Sequence, residues 1–543
     1  MIYRQIMQAI IQSVLVFTLP ATSLLNAAEV EDPAEVQIGE RLFLETRFAQ
    51  SYFAKRQKKP ETKITITTSG KLPGPFRGQS INCRSCHFVD EHKRAKGAGM
   101  RTYADFARTS PVPDRHLKPK RTLRNSQMMV NINAKGKSYV LLHHDGEFTK
   151  IEDLVQATLT GRNFGWKATE FKTAIRHIAS IIRRDNGTGQ LAQEFGGSYR
   201  KLLLGTNRAI PAKLRLPSAF RIDVNTASDK KIVKTISRLI AVYVRSLEFS
   251  RDHKGVNNGS PYDLFLRLNK LPRTAGKGES DKNYSQRLLV AINKMRQPVF
   301  VTSKHGKFKL HKQPFKFGKK QLTGLKLFLA KGIKQRRGGN CAACHAAPHF
   351  TDFSFHNTGL TQVNYDRIHG KRAFKKLYIP KLSKRNKNYN KYLPVTVRHP
   401  FAKQPFRSAL SHAKPGHLDL GLWNVFANPD MPAPQHKITK LLCDQYKRIK
   451  PNKKFCKNQS LLPLAIASFK TPSLRDLGHS NPYMHSGQFD SLKQAVSFYL
   501  TSSMLAKTKN LRNAAPELKH IVLTGKDVNA IVAFLKSLNE DYE

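Results

Sequence analysis

The sequence predicts a mainly α-helical protein divided into two motif-bearing domains, on three observations. Apolar residues recur at helical spacing, period-two stretches are few, and one five-residue motif occurs twice, 258 residues apart. From the N-terminus, Arg4 precedes the apolar run Ile10–Leu19, followed by Pro20 and small residues up to Ala27-Ala28. That is the layout of a cleaved export signal over residues 1–28, and the run is short for a membrane span of about 20 residues. The best alternating stretch is Lys63-Ile64-Thr65-Ile66-Thr67. Ile232, Ile236, Leu239, Ile240, Tyr243 and Leu247 keep one helical face, closing an N-terminal domain over 29–265. Residues 266–318 read as a linker or insertion with a helical piece near Tyr284–Met295. The C-terminal domain spans 319–543 and holds a loop-like basic insertion at about 362–462. Within it, residues 371–393 carry nine Lys/Arg and no acid, the composition of a solvated segment. Ser491 caps a helix with inner face Leu492, Ala495, Val496, Tyr499 and Leu500. Thr524, with Asp527 three residues on, caps another bearing Val528, Ile531, Val532, Leu535 and Leu538.

The chain has 543 residues, with 94 Lys+Arg against 37 Asp+Glu and a net charge of +57. Charge of this sign suits nucleic acid, but an export signal directs the chain away from it, and no later stretch is apolar enough for a stable membrane span. Hydrophobic residues at 40% exclude wholesale disorder. Six cysteines are too few for a disulfide scaffold, and four of them form the repeated motif, Cys83-Arg84-Ser85-Cys86-His87 and Cys341-Ala342-Ala343-Cys344-His345. Composition alone would supply about 0.002 copies of C-x-x-C-H. Two thiols three positions apart can each add to one vinyl group of a haem, with the adjacent His as proximal iron ligand. Cys83, Cys86, Cys341 and Cys344 are therefore the expected attachment points of two covalent c-type haems, with His87 and His345 as iron ligands. A dithiol redox pair or half a zinc site requires no His after the second Cys. Haem attachment follows export, which points to the periplasm. Cys443 and Cys456 are left to form a local disulfide or remain as two thiols.

The order of haem motif, long spacer, haem motif, Thr471-Pro472-Ser473-Leu474-Arg475 and Pro482-Tyr483-Met484-His485-Ser486-Gly487 resembles bacterial di-haem cytochrome c peroxidases and MauG-like enzymes. Gly39-Glu40-Arg41-Leu42-Phe43, Arg124-Asn125-Ser126, His144-Asp145-Gly146, Ser260-Pro261-Tyr262-Asp263 and Phe355-His356-Asn357-Thr358-Gly359 continue the likeness in the same order. The resemblance implies two cytochrome c-like haem domains, the C-terminal haem feeding electrons to an N-terminal haem that reduces hydrogen peroxide. It also implies calcium held by the Asn125 side chain and the carbonyls of Ser480 and Pro482, an oxygen shell suited to that ion.

Several positions depart from the peroxidase pattern. Where peroxidases place a Met ligand, fourteen residues after His485, this chain has Tyr499, as MauG-like enzymes do. A phenolate favours ferric iron, so Tyr499 is the expected sixth ligand of the C-terminal haem, or else a core aromatic; Met484 and Met504 are lesser candidates. The family's distal Gln and Glu fall on Leu154 and Phe164, and a two-residue shift to Gln156 puts Trp166 at the Glu position. Glu147, Glu152 and Glu170 are expected on solvated surfaces. His144 stands at the inter-haem Trp position, so His143 and His144 are candidates for the distal pocket, the electron path or a plain surface pair. His116 falls near the His that caps the resting peroxidatic haem. His356 and His485 are expected to order the haem edge or the domain interface. These expectations define an exported di-haem oxidoreductase, with MauG-like oxidation of a protein or organic substrate, or non-catalytic electron carriage, as alternatives. Its high charge calls for an acidic soluble donor, a cytochrome or a cupredoxin.

Overall fold

The computed structural model describes residues 32–58, 81–87, 123–132 and 141–541, apart from 207, 310 and 453–454. The export signal, Lys63–Thr67 and His116 lie outside the described residues. The fold is mainly helical. Its one two-stranded sheet among those residues pairs Phe355–His356 antiparallel with Phe469–Lys470, in register Phe355 with Lys470.

One packing device is used twice. The helix Ala34–Phe43 crosses Asp229–Ser246, and the helix Lys319–Leu329 crosses Gly525–Lys536. At the first crossing a Cβ on Gly39 would strike the Leu239 carbonyl; at the second, a Cβ on Gly324 would strike the Ala530 carbonyl. Only glycine permits these backbones to approach so closely. The expected buried face Ile232, Ile236, Leu239, Ile240 and Tyr243 is in the first crossing, and Val528, Ile531 and Leu535 are in the second. Both C-terminal caps form as read: Ser491 accepts from the Gln494 N–H, and Thr524 exchanges bonds with Asp527.

Two stretches expected to be loop-rich are instead packed. Within 266–318, the helix Asp281–Lys294 buries Tyr284, Leu288 and Ile292, which join Val301, Phe317, Phe328 and Phe534 in one apolar cluster. The region 362–462 folds around Trp423, with Phe374, Tyr389, Tyr392, Leu418, Leu420, Phe426, Ile438 and Leu442 buried about it. The basic run expected to be solvated contributes Arg385 to this core. Its guanidinium is fully buried, lies over Trp423 and donates to the carbonyls of Trp423, Phe426 and Ala427. Cys443 and Cys456 are disulfide-bonded at the edge of the same region.

Reciprocal ion pairs fasten this insertion to the segment that follows the first C-x-x-C-H motif. Arg124 donates to Asp419 of the insertion at 2.6 and 3.0 Å, and Arg407 of the insertion lies 3.1 Å from Asp145 and pairs with Glu147. Arg124 also bridges to Asp145 at 2.7 Å, closing a buried circuit that no pattern of sequence spacing could reveal.

Candidate functional site

The two C-x-x-C-H segments fold alike. Each opens as a 3-10 turn, Cys83–Ser85 and Cys341–Ala343. In each, the His N–H closes back on the first Cys carbonyl, His87 to Cys83 at 2.9 Å and His345 to Cys341 at 2.8 Å. Asn82 sets the first turn by accepting from the Ser85 N–H and donating to the Leu44 carbonyl. The four thiols are unbridged, and burial pushes Cys83, Cys86 and Cys341 up to about 12. A dithiol redox pair requires the opposite, a stabilised thiolate.

The imidazoles are oriented in the same way. His87 donates Nδ1–H to the Gln127 carbonyl and His345 donates Nδ1–H to the Phe350 carbonyl, both at 3.0 Å. A carbonyl only accepts, so the tautomer is fixed and each Nε2 keeps its lone pair. This is how a metal-binding histidine is held ready, with its second nitrogen on a backbone carbonyl. The chemistry of the donor sets therefore fits two covalently attached haems.

Around the second motif, Tyr499 projects from the helix Leu492–Lys507 toward Cys344 and Cys341. Burial, reinforced by those thiols, pushes its phenol well above the usual range. It packs at the edge of an apolar cluster with Leu505 and Leu523, so it borders the core as well as the thiols. Met504 is 56% exposed, which places it in solvent. Met484 sits in the left-handed region within the Tyr483–Phe489 hairpin. His356 bonds Asp352 at 2.9 Å beside Cys344, and Asp352 with Cys344 holds it well above the usual histidine range despite burial.

The segment after Asp145-Gly146 carries the distal positions implied by the resemblance. Phe164 is in the apolar core and Leu154 packs against it. Glu147, expected on a solvated surface, is instead drawn into the ion pairs with Arg407 and His143, which hold its carboxyl well below the usual range against burial. Glu152 pairs with Arg245, and Glu170 accepts from the Lys167 N–H at 2.8 Å. All three carboxylates are thus engaged. His143 bonds Glu147 at 3.2 Å. His144 is deeply set, with Nε2 on the Asn125 carbonyl at 3.1 Å; burial and the Arg124 charge keep it neutral.

Asn125 ties the halves together. Its N–H donates to the His485 carbonyl at 2.8 Å and its Nδ2 to the Pro482 carbonyl at 2.6 Å, while Oδ1 is buried without a protein partner. An orphaned oxygen beside a carbonyl is a fitting start for a calcium shell. His485 stacks on Phe469, ring centroids 3.6 Å apart, and the Lys470 N–H donates to the His144 carbonyl at 2.8 Å. Lys470 itself is half-buried with its ammonium on the Leu141 carbonyl at 2.9 Å, and burial lowers it to about 8. Lys470, Asp419 and Arg407 were not singled out by sequence reasoning; none lies in a spaced motif, and only the fold brings them to this junction.

No family model matches the chain. Among curated proteins, cytochrome-c peroxidase IdrP2 of Denitromonas iodatirespirans is 26% identical over 220 residues, 40% of this chain and 39% of that protein. Cytochrome-c peroxidase IdrP1 of the same organism is 35% identical over 81 residues, 15% of this chain and 20% of that protein. The methylamine utilization protein MauG of Methylorubrum extorquens is 34% identical over 74 residues, 14% of this chain and 20% of that protein. The matches thus span about a fifth to two fifths of these relatives' lengths. Among solved structures, the diheme peroxidase BthA from Burkholderia thailandensis gives a TM-score of 0.43 at 16% identity, covering 94% of this chain and 86% of that one. A MauG-like protein associated with microbial copper homeostasis gives 0.44 at 15%, covering 97% and 96%.

Proposed function

We infer that the chain is a member of the bacterial di-haem cytochrome c peroxidase and MauG-like family, and that it acts as an exported, periplasmic di-haem oxidoreductase. The observation that carries this is the duplicated geometry at His87 and His345, each Nδ1–H anchored on a backbone carbonyl beside two unbridged thiols. Cys83, Cys86 and His87 would hold one haem, and Cys341, Cys344, His345 and Tyr499 would hold the other. When bound, the haems supply one-electron transfer and an iron site for hydrogen peroxide, whose reduction to two waters takes two electrons and two protons.

This chain's own residues position and protonate. The Gln127 and Phe350 carbonyls fix the two imidazoles. His144 gives Nε2–H to Asn125 and keeps Nδ1 as a proton acceptor at the junction. His116 is the candidate second ligand of the resting N-terminal centre. Asn125, with the carbonyls of Ser480 and Pro482, would hold calcium, the buried Asn125 Oδ1 being the support for that site. The apolar clusters over 36–249 and 262–538 support one haem domain each, in which electrons from an acidic cytochrome or cupredoxin are taken up at the C-terminal centre and used at the N-terminal one.

MauG-like oxidation of a protein or organic substrate is the second reading, favoured by the place of Tyr499 beside Cys341 and Cys344. The purified protein is expected to carry two haems per chain, one lost with Cys83→Ala/Cys86→Ala and the other with Cys341→Ala/Cys344→Ala. Anaerobic peroxide consumption with a reduced acidic donor should follow. Two haems without peroxide consumption or substrate oxidation would leave only the electron carrier.

A further inference from the structure

Near its end the basic insertion sends out a turn that leaves its own core. The helix Gln435–Ile449 buries Ile438 and Leu442 in the cluster around Trp423, and the next helix, Asn458–Ala465, returns Leu461, Leu462 and Ala465 to it. The disulfide between Cys443 and Cys456 ties the first helix to the start of the second, with Cα atoms 5.6 Å apart, and both cysteines pack at the edge of the cluster. Outward of that clasp, Lys447, Arg448, Ile449, Lys450, Pro451 and Asn452 are exposed in unbroken order. Phe455, next to Cys456, is 84% exposed.

Two kinds of side chain share this turn. Ile449, at 48% exposure, and Phe455 are apolar groups left in water. The disulfide already fixes the backbone on which they stand, so seating them in another apolar phase costs little further ordering. Beside them in the chain are the exposed cations Lys447, Arg448, Lys450 and Lys457, and from Tyr446 to Lys457 the sequence has no acid. Among the described residues Arg448 reaches one carboxylate, Glu517, at 4.0 Å, and Lys447, Lys450 and Lys457 reach none. Positive charge without internal partners calls for an anionic surface. A stable protein complex buries about 800 Å² on each side, which two apolar side chains on a narrow turn do not supply. A lipid surface accepts such groups singly.

We propose that this clasped turn docks the protein on a bilayer bearing anionic lipids, with Phe455 and Ile449 entering the boundary between headgroups and acyl chains and Lys447, Arg448, Lys450 and Lys457 resting on the headgroup anions. Each side chain suits its place. Aromatic and aliphatic groups settle in that boundary, while Lys and Arg lay their stems along apolar material and keep their charged ends in the headgroup layer. Each cation near an anionic leaflet adds attraction that fades within a screening length. Neither part suffices by itself, because a single small anchor binds reversibly and firm attachment takes a second, basic signal. The attachment is peripheral: among the described residues no helix is long and apolar enough to cross a membrane.

Vesicle binding is read without any haem chemistry, so its outcome stands apart from that of the di-haem reading. The full-length holoprotein is floated with vesicles of phosphatidylglycerol and phosphatidylethanolamine in equal parts, and with vesicles of phosphatidylcholine alone, at about 0.15 M salt. The wild type should float with the first and not with the second. A net charge of +57 would draw the chain to any anionic surface, so the apolar residues decide the matter. Phe455→Ser should lower the partition coefficient by about tenfold, the effect of withdrawing one large apolar side chain from lipid. Phe401→Ser, at the other strongly exposed phenylalanine of the insertion, should leave it unchanged. The added fluorescence of Phe455→Trp should be quenched by brominated acyl chains. Undiminished binding of Phe455→Ser would mean that charge alone holds the protein and overturns the proposal, as does an equal loss in Phe401→Ser or unquenched fluorescence in Phe455→Trp. If the wild type ignores both vesicles and Phe455→Ser instead slows reduction by an acidic protein donor, the turn is a protein contact, which also overturns it.

Discussion

Glu540 is 1% exposed, accepts the Ser250 N–H at 2.7 Å and has its other oxygen 4.0 Å from the Arg475 guanidinium. Arg475 is already committed to Asp263 at 2.9 and 3.0 Å, so burial dominates and pushes Glu540 up to about 8. A carboxyl whose folded value exceeds its unfolded value binds its proton more tightly in the folded state. Its stabilising protonation is complete below about pH 4 and is lost as the pH rises through about 8. Thermal unfolding followed from pH 5 to 9 should therefore show falling stability, and Glu540→Gln should flatten that decline; an equal decline in the variant would refute the assignment. Tyr499 offers a second single-residue test. Replacing it with Met exchanges a hard oxygen for a thioether, so the C-terminal centre should shift to higher potential by on the order of 100 mV, within the ~0.8 V span set by axial ligands. A redox titration of each haem checks this, and an unmoved C-terminal potential removes Tyr499 as a ligand.

At the scale of elements, the helix crossings at Gly39 and Gly324 admit no side chain, because a Cβ at either would overlap a carbonyl of the opposing helix. Gly324→Ala should destabilise the protein by about 1–3 kcal/mol through overpacking, measured by denaturant unfolding. The insertion's clasp predicts a larger effect. Arg407→Met would leave partly buried Glu147 with only His143 and Asp145 with only Arg124, at a cost of about 3 kcal/mol, the low end for a broken buried pair. These contacts show where the sequence was legible. Helices with a cap and a periodic face, such as those after Ser491 and Thr524, were readable because both signals are local. The fold around Trp423 was not, because Phe374, Leu420 and Leu442 reach it from short helices and turns with no sustained period. Arg385 sits in a basic run that reads as solvent-facing, and only the converging carbonyls of Trp423, Phe426 and Ala427 make its burial possible. The two C-x-x-C-H segments were legible as a pair, because their fixed spacing is a local signal, and both fold into the same 3-10 turn.

For the whole molecule, the +57 charge is not spread evenly. Residues 362–462 carry 22 Lys/Arg against 4 Asp/Glu, and of the cations in or against this region Arg124, Arg385 and Arg407 are taken up by internal partners. Most of the remainder is free to act on solution partners. This region also presents Phe401 at 81% and Tyr378 at 58% exposure, apolar points within a positive field. A donor with an acidic face would be steered toward it, and a basic cytochrome would be repelled. Charge steering weakens as the screening length contracts from about 30 Å at 0.01 M salt to about 3 Å at 1 M. Reduction of the haems by an acidic donor should accordingly slow by about tenfold or more across that range in stopped-flow experiments. A basic donor should speed up or remain unchanged over the same range, since screening then removes repulsion. Equal salt dependence for both donors would mean that the charge serves some purpose other than choosing the electron donor.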